Sequence, residues 1–321
     1  MKKKVCKVCI VGFGVVAEIH AIAVDKCENA ELYAVCDIKE DRIAKCKERY
    51  DVIGYSDFDD VLNDKNIDAV HICTPHYLHY EMAKKAVEHN KSVVLEKPVV
   101  IKREEFKKLS KLDGDIAIVF QNRLNPCMKK LKSVVESKEY GEIVGIKSVL
   151  TWYRDAEYYK SDLWRGKWET EGGGVLINQS VHSLDILCWL CGKVKKVNSV
   201  MANLSIPQIE VEDTCVAYIE FESGVKGSFF ATNSYCENSP MHIEVIFENG
   251  RALYHDKKLY LNNKLIETDV YINNKKAYWG SGHLELIDNV YSKNIKISLK
   301  DVENTMDTVF SIYENYKKDG A

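Results

Sequence analysis

Proline is scarce in this chain, 5 residues in 321, and it never clusters with glycine into a tether. No segment repeats and none is of low complexity. Without such a linker, two parts of the chain are expected to pack closely rather than swing freely. Charge of one sign is lacking too, because 45 Lys and Arg face 48 Asp and Glu for a formal charge of −3. That balance recommends neither nucleic acid nor a membrane surface as a partner, and a small-molecule substrate fits better. Nor is there an apolar stretch long and charge-free enough to span a bilayer. Met1-Lys2-Lys3-Lys4 ahead of an apolar run has the outline of a signal peptide. The run, however, contains Lys7 and passes directly into Gly12-Phe13-Gly14, as a buried strand entering a glycine turn would. The expected location is the cytoplasm.

Cysteine, in contrast, is plentiful, with eleven residues scattered through apparent core segments as small buried hydrophobes. Cys6 and Cys9 fall in a predicted strand, where their odd separation points them to opposite faces. Cys188 and Cys191 lie near a helix end with no second pair at zinc-ribbon spacing. Both pairs read as structural, and no metal site is expected.

Up to about residue 120 short β-rich runs alternate with amphipathic helical patterns. The strands are Val5–Val11, Leu32–Cys36, Ala69–Cys73, Ser92–Leu95 and Ile116–Phe120, and the helices Ala17–Lys26, Lys39–Tyr50, Tyr77–Glu88 and Arg103–Leu112. This βαβα rhythm predicts an α/β fold with a doubly wound parallel sheet. After Asn125-Pro126 the rhythm changes to a helix, a long strand at Ile143–Tyr153, and an irregular aromatic stretch to Glu171. A helix is then expected from the Gly172-Gly173-Gly174 run to Gly192. Strands in series follow, among them Thr214–Phe221 and Val225–Asn233, with hairpin signals at Glu248-Asn249-Gly250 and Asn262-Asn263. Helices near Ser281–Tyr291 and Asp301–Tyr316 close the chain. The expected division is a dinucleotide-binding domain over 1–122 and a substrate and oligomerisation domain over 123–321, with the last helix a candidate to pack back on the first.

Three motifs carry chemistry. Gly12-x-Gly14-x-x-Ala17 sits between a strand and a helix. Gly12 permits a tight turn, Gly14 lets the backbone approach a pyrophosphate, and the small residue at 17 lets helix and strand pack closely. Asp37, ending the second strand, can accept hydrogen bonds from a ribose diol and would repel a 2′-phosphate. It favours NAD, while nearby Lys39 and Arg42 leave NADP open. Glu96-Lys97-Pro98 follows the strand Ser92–Leu95, so Lys97 emerges where ligands of open α/β sheets bind. Beside a cationic nicotinamide its charged form would be disfavoured, moving it toward proton transfer. The alternative is an ordinary solvated lysine.

The third motif runs from Gly172 to Asp185. On one helix, Asn178, His182 and Asp185 would share a sector of roughly 60°. A neutral His182 can take a hydroxyl proton while the amide holds the hydroxyl in register. Three glycines ahead of it suggest close backbone approach. Trp164-Arg165, Trp168 and Tyr153-Arg154 suit either stacking on a sugar ring or fastening a long loop. His283, at the start of a helix, reads better as a cap than as a cleft residue.

Together these motifs, with Cys36-Asp37 and Cys73-Thr74-Pro75-His76 followed by His79, resemble the Gfo/Idh/MocA oxidoreductases over nearly the whole chain. The resemblance implies a Rossmann domain followed by an α/β domain with an open, mostly antiparallel sheet often used for homodimer or homotetramer contacts. It implies catalytic Lys97 and His182, with Asn178, Arg165, Trp164, Tyr153 and Asp185 around the substrate. The cofactor set it implies is Gly12, Phe13, Gly14, Val15, Val16, Asp37, Thr74, Pro75, His76, His79, Glu96, Lys97 and Asn122. Inositol dehydrogenase-like members usually carry aspartate where this chain has Asn178, and an amide cannot serve as a carboxylate base. That points away from free inositol and toward a glycoside or nucleotide sugar. An NAD-dependent glycosidase using transient oxidation and a non-catalytic dinucleotide-binding regulator are the rival readings. Retention of both Lys97 and His182 counts against the regulator.

Overall fold

A computed structural model describes residues 5–270 and 281–319. The chain divides into two units. The first holds the residues up to Val100 with Glu104–Gln121 and Ser281–Asp301, and the second holds Ile101–Arg103, Asn122–Gly280 and the residues from Val302. The segment that belongs with the first unit after the long excursion is thus 281–301, and the last helix falls in the second.

In the first unit, strands β1 (Cys6–Val11), β2 (Ala30–Cys36), β3 (Ile53–Tyr55), β4 (Ala69–Ile72), β5 (Ser92–Leu95) and β6 (Ile116–Ile118) form one sheet. All pairings are parallel and the order is β3-β2-β1-β4-β5-β6. Strand order reverses between β1 and β4, which opens a crevice at their carboxyl ends. Helices α1 (Ala17–Asp25), α2 (Glu40–Lys47), α3 (Phe58–Asn63), α4 (His79–Glu88) and α5 (Arg103–Leu109) connect the strands. A parallel sheet covered on both faces needs continuous apolar strands. Val8, Cys9, Ile10 and Val11 are accordingly buried, as is all of β4, including His71. β3 and α3 escape the sequence pattern because each is under seven residues, too short to show a period.

The second unit begins with α6 (Pro126–Ser137), β7 (Ile143–Thr151), α7 (Ala156–Lys160) and α8 (Val181–Cys191). Strands β8 (Val194–Ala202), β9 (Thr214–Phe221), β10 (Lys226–Thr232), β11 (His242–Phe247), β12 (Gly250–His255), β13 (Lys258–Leu261) and β14 (Lys264–Thr268) follow. With β7 they form an eight-stranded sheet ordered β14-β13-β12-β11-β7-β10-β9-β8, antiparallel except where β10 meets β7. Strict alternation in β8 and β9 buries Val197, Ser199 and Met201, and Cys215, Ala217 and Ile219, on one face. α8 packs on β7 and α10 (Glu303–Asp319) on β8, while the other face presents Val200, Val216, Tyr218 and Ile246 to solvent. Preceding α10, α9 (Gly282–Asp288) belongs to the first unit and ends in a single π turn at Asn289–Lys293.

Two hairpin signals land where expected. Glu248-Asn249-Gly250 joins β11 to β12, and Asn262 and Asn263, at φ 49° and 66°, turn β13 into β14. The helix expected to run from the glycines to Gly192 starts only at Val181. Before it, the Glu212 carboxylate takes the N–H groups of Gly174 and Leu176, and Ser180 Oγ donates to the carbonyl of Val175. Asn178 and Gln179 N–H still make helical bonds to the Gly174 and Val175 carbonyls, but the Ser180 N–H turns back to Val175 and its Oγ also donates to the Leu176 carbonyl, which breaks the ladder ahead of α8.

Candidate active site

In the first unit the glycine turn has the geometry that a dinucleotide needs. Gly12 sits at φ +83°, and a Cβ there would come within 2.9 Å of the Cys73 carbonyl oxygen. A Cβ on Gly14 would meet nothing nearer than Arg42 Nη1 at 4.0 Å, so that glycine keeps a space open rather than relieving a clash. No side chain caps α1 at Val16, which leaves its N-terminal turn without a side-chain acceptor, as a phosphate site requires. Val15 is exposed and Val16 half-buried, while Phe13 is buried and its N–H donates to Asp37 Oδ2 at 2.7 Å. Lys39 N–H donates to the other Asp37 oxygen at 2.9 Å, and Arg42 lies 3.4 Å away. Asp37 is therefore a fixed acceptor at the end of β2, its charge partly compensating that of Arg42.

At the ends of β4 and β5 two more loops meet. Thr74 and Pro75 are half-buried and His76 is buried. His79, fully buried, places Nδ1 at 2.7 Å from the Pro98 carbonyl and Nε2 at 3.0 Å from the Thr74 carbonyl. Its pKa is pushed down, by burial above all. Glu96 is likewise buried, with Oε1 accepting from His20 Nε2 at 2.9 Å and Oε2 from the Lys97 N–H at 3.1 Å. Burial pushes the Glu96 carboxyl up, but hydrogen bonds from His20 and His283 outweigh it and hold the group well below the usual carboxylate range. His79, with no exposed surface, is out of a cofactor's reach, contrary to expectation, and Glu96 keeps only 5% of its surface exposed. They tie together the loops that carry Thr74, Pro75 and Lys97. Lys97 itself is half-buried at the carboxyl end of β5.

In the second unit the glycine run is dictated by packing. A Cβ on Gly173 would lie 1.9 Å from Tyr313 Oη, and one on Gly174 would lie 1.8 Å from the Glu212 carbonyl oxygen. The close approach that three glycines suggested is to the protein's own core. Asn178 lies in the turns ahead of α8, not on the helix, and its Nδ2 donates to the buried Glu171 at 2.5 Å. Asn178 therefore does not share one helix with His182 and Asp185. His182 is half-buried in the first turn of α8. Asp185 is fully buried and accepts from Arg123 at 2.8 and 2.6 Å and from Thr305 Oγ1 at 2.7 Å. A carboxylate so enclosed binds no substrate.

Of the aromatic stretch, Trp168 donates to the Glu210 carbonyl and packs edge-on to Tyr313, which makes it a fastener of the loop. Arg165 is held by the Tyr158 hydroxyl at 2.6 Å and lies over the rings of Trp164 and Tyr158, with Trp164 half-buried. Tyr153 lies beyond β7, 49% exposed, in an isolated bridge to Ser234. Asn122 is half-buried and belongs to the second unit. His283 caps nothing; it is buried, with Nε2 at 3.7 Å from Glu96 Oε1. Sequence reasoning missed Glu171, Glu212, His20 and His71. A histidine inside the apolar strand Ala69–Ile72 was the one visible signal among them.

Comparison with known proteins places this geometry. Residues 6–114 match the model of an oxidoreductase family with an NAD-binding Rossmann fold, and residues 128–253 match the GFO/IDH/MocA C-terminal domain. Myo-inositol 2-dehydrogenase of Thermotoga maritima is 26% identical over 310 residues, 92% of this chain and 87% of that protein. The scyllo-inositol 2-dehydrogenase (NAD(+)) of Bacillus subtilis is 28% identical over 75% of this chain and 71% of its own. The WlbA dehydrogenase of Bordetella pertussis, solved with NADH and UDP-GlcNAcA, superposes with a TM-score of 0.89 at 26% identity, covering 100% of this chain and 97% of that one. With both halves matched and the glycine turn, Asp37 and Lys97 in place, the chain belongs to the GFO/IDH/MocA family of NAD-binding oxidoreductases.

Proposed function

We propose that the protein is an NAD-dependent dehydrogenase interconverting a secondary alcohol and a ketone on the pyranose ring of a nucleotide sugar or glycoside. The observation that carries the reading is the open glycine turn in one unit with Lys97 held at the end of β5 by Glu96. NAD rather than NADP follows from Asp37, an acid at the end of β2 that would repel a 2′-phosphate and that pairs with Arg42. When bound, the nicotinamide supplies the hydride acceptor. The family resemblance assigns proton transfer to His182 and to Lys97, and orientation of the ring to Asn178 and Arg165. Fixing of the Asn178 amide by Glu171 suits a hydroxyl-orienting role and not a base. A nucleotide sugar is favoured over inositol by that amide and by the likeness to the Bordetella enzyme over the whole chain.

The test is nicotinamide absorbance with purified protein, NAD or NADP, and a panel of inositols, free sugars, glycosides and nucleotide sugars. Reduction of NAD with a nucleotide sugar or glycoside, lost in Lys97→Ala and His182→Ala, is the expected result. Near-wild-type turnover in both variants overturns the residue assignment. Release of an aglycone without net change in NAD reveals a glycosidase, and silence with intact NADH binding reveals a regulator.

A further inference from the structure

In the second unit two guanidiniums meet at the ring of Tyr158 on α7. Arg165 Cζ lies 4.5 Å from the ring centroid and Arg154 Cζ 5.2 Å from it. Each also lies over an indole, Arg165 over Trp164 at 4.5 Å and Arg154 over Trp152 at 4.9 Å. The Tyr158 hydroxyl accepts from Arg165 Nη1 at 2.6 Å and from Gln179 Nε2 at 3.0 Å. Asn233 Nδ2 orients that Gln179 amide by donating to its Oε1 at 3.0 Å. The phenol oxygen is thereby filled as an acceptor, and what the hydroxyl still offers is its hydrogen. Among the described residues nothing accepts that hydrogen. Gln179 follows Asn178 in the turns ahead of α8, so the hydroxyl touches the neighbour of the amide assigned to the substrate ring.

The positive charge of this cluster is only partly cancelled among the described residues. Arg154 Nη1 donates to two neutral acceptors, the Tyr153 carbonyl at 2.6 Å and Asn238 Oδ1 at 2.7 Å, and meets no described carboxylate. Arg165 faces one, with Asp162 Oδ2 at 3.6 Å from its Nε, and beyond the Tyr158 bond it donates to no described residue. Side chains that only fasten a loop spend their donors on it, as Trp168 does on the Glu210 carbonyl. Here the donors are unspent. Arg154, Tyr158 and Arg165 are all half-buried, which leaves each with surface that a ligand can reach. Guanidiniums laid against aromatic rings keep their N–H edges for an acceptor in the guanidinium plane, and the acceptor that fits two such cations and a hydroxyl hydrogen is an oxyanion.

We propose that Arg154, Tyr158 and Arg165 form a subsite for an oxyanion carried by the substrate, either a carboxylate on the sugar or a phosphate attached to it. Tyr158 gives the oxyanion its hydroxyl hydrogen, and the two guanidiniums supply charge and N–H groups. The assignment rests on the dehydrogenase reading and narrows its substrates to acidic sugars.

The test is calorimetric binding to the protein–NADH complex, which cannot oxidise an alcohol. UDP-GlcNAcA carries a carboxylate and a diphosphate, UDP-GlcNAc the diphosphate alone, and glucuronate the carboxylate alone. Arg154→Ala is expected to weaken UDP-GlcNAcA about tenfold and Tyr158→Phe, which keeps the ring under both guanidiniums, about three- to tenfold, with NADH affinity unchanged. A seated carboxylate shows as the same loss for glucuronate and none for UDP-GlcNAc. A seated phosphate shows as equal losses for both nucleotide sugars. The fall in UDP-GlcNAcA affinity between about 50 and 300 mM salt should be shallower in Arg154→Ala than in the wild type, which a mere loop fastener would not produce. UDP-GlcNAcA affinity unchanged in both variants overturns the proposal, as does an unchanged salt dependence or a wild type that binds none of the three probes. Failure of the dehydrogenase reading shows separately, as binding that depends on Arg154 without reduction of NAD when NAD replaces NADH.

Discussion

A methyl group at position 12 would have to sit at φ +83° and within 2.9 Å of the Cys73 carbonyl. Gly12→Ala is expected to cost about 1–3 kcal/mol of stability and to weaken NADH binding tenfold or more, read by urea unfolding and fluorescence titration. Asp185 makes a different case. Its pairing with Arg123 is buried, so Asp185→Ala strands a guanidinium and should cost about 3–5 kcal/mol, whereas the double change Arg123→Met with Asp185→Leu should cost distinctly less. Urea denaturation of the three proteins checks this. Glu212 carries a pH dependence. Burial pushes its carboxyl up to about 7, against the hydrogen bonds from Leu176, Gly174 and Tyr313. The folded state therefore holds this proton more tightly than the unfolded chain does. The resulting stability is present below the ordinary carboxylate range and is lost as pH rises toward 7. Relative to Glu212→Gln, the wild type should lose up to about 3 kcal/mol between pH 4 and 8, measured as the difference of two unfolding curves. A flat difference contradicts it.

Secondary-structure elements show where a pattern can be read and where it is overruled. Continuous apolar runs located β1 and β5, and alternation and a helical period located β9 and α1, to within a residue or two. Turn chemistry located the hairpins for an equally local reason, since Asn262 and Asn263 tolerate φ 49° and 66°. The companion turn at Asp256-Lys257, with Lys257 at φ 63°, carries no such signal. Asn263→Val should cost about 1–2 kcal/mol and Lys257→Gly should gain up to about 1 kcal/mol, both by thermal unfolding. The sequence predicts a helix from the Gly172-Gly173-Gly174 run onward, yet α8 starts only at Val181. Glu212, distant in sequence, anchors the stretch by taking the Gly174 and Leu176 N–H groups, and Ser180 breaks the ladder. Asn178 accordingly lies ahead of α8, whereas His182 lies in its first turn. No local pattern contains a hydrogen bond from another element.

For the whole molecule, the eight-stranded sheet leaves Val200 opposite Val216, with Tyr218 and Ile246, on a face that no described helix covers. An apolar patch of this kind marks an interface, and we propose a homodimer or homotetramer formed through it. Light scattering should give a multiple of the chain mass that falls to one chain in Val200→Asp with Val216→Asp, and a wild-type monomer defeats the proposal. Amino-acid sequence by itself determined the two architectures, the glycine turn, Asp37 and the place of Lys97, because each depends on residues near one another in the chain. Tertiary structure alone decided that Asp185 is a buried ion-pair partner, that the triple glycine serves Tyr313 and Glu212, and that His283 belongs with Glu96. Those roles depend on which desolvated polar groups meet across the fold, and a charge buried far from its partner in sequence carries no period, spacing or turn by which it could be read.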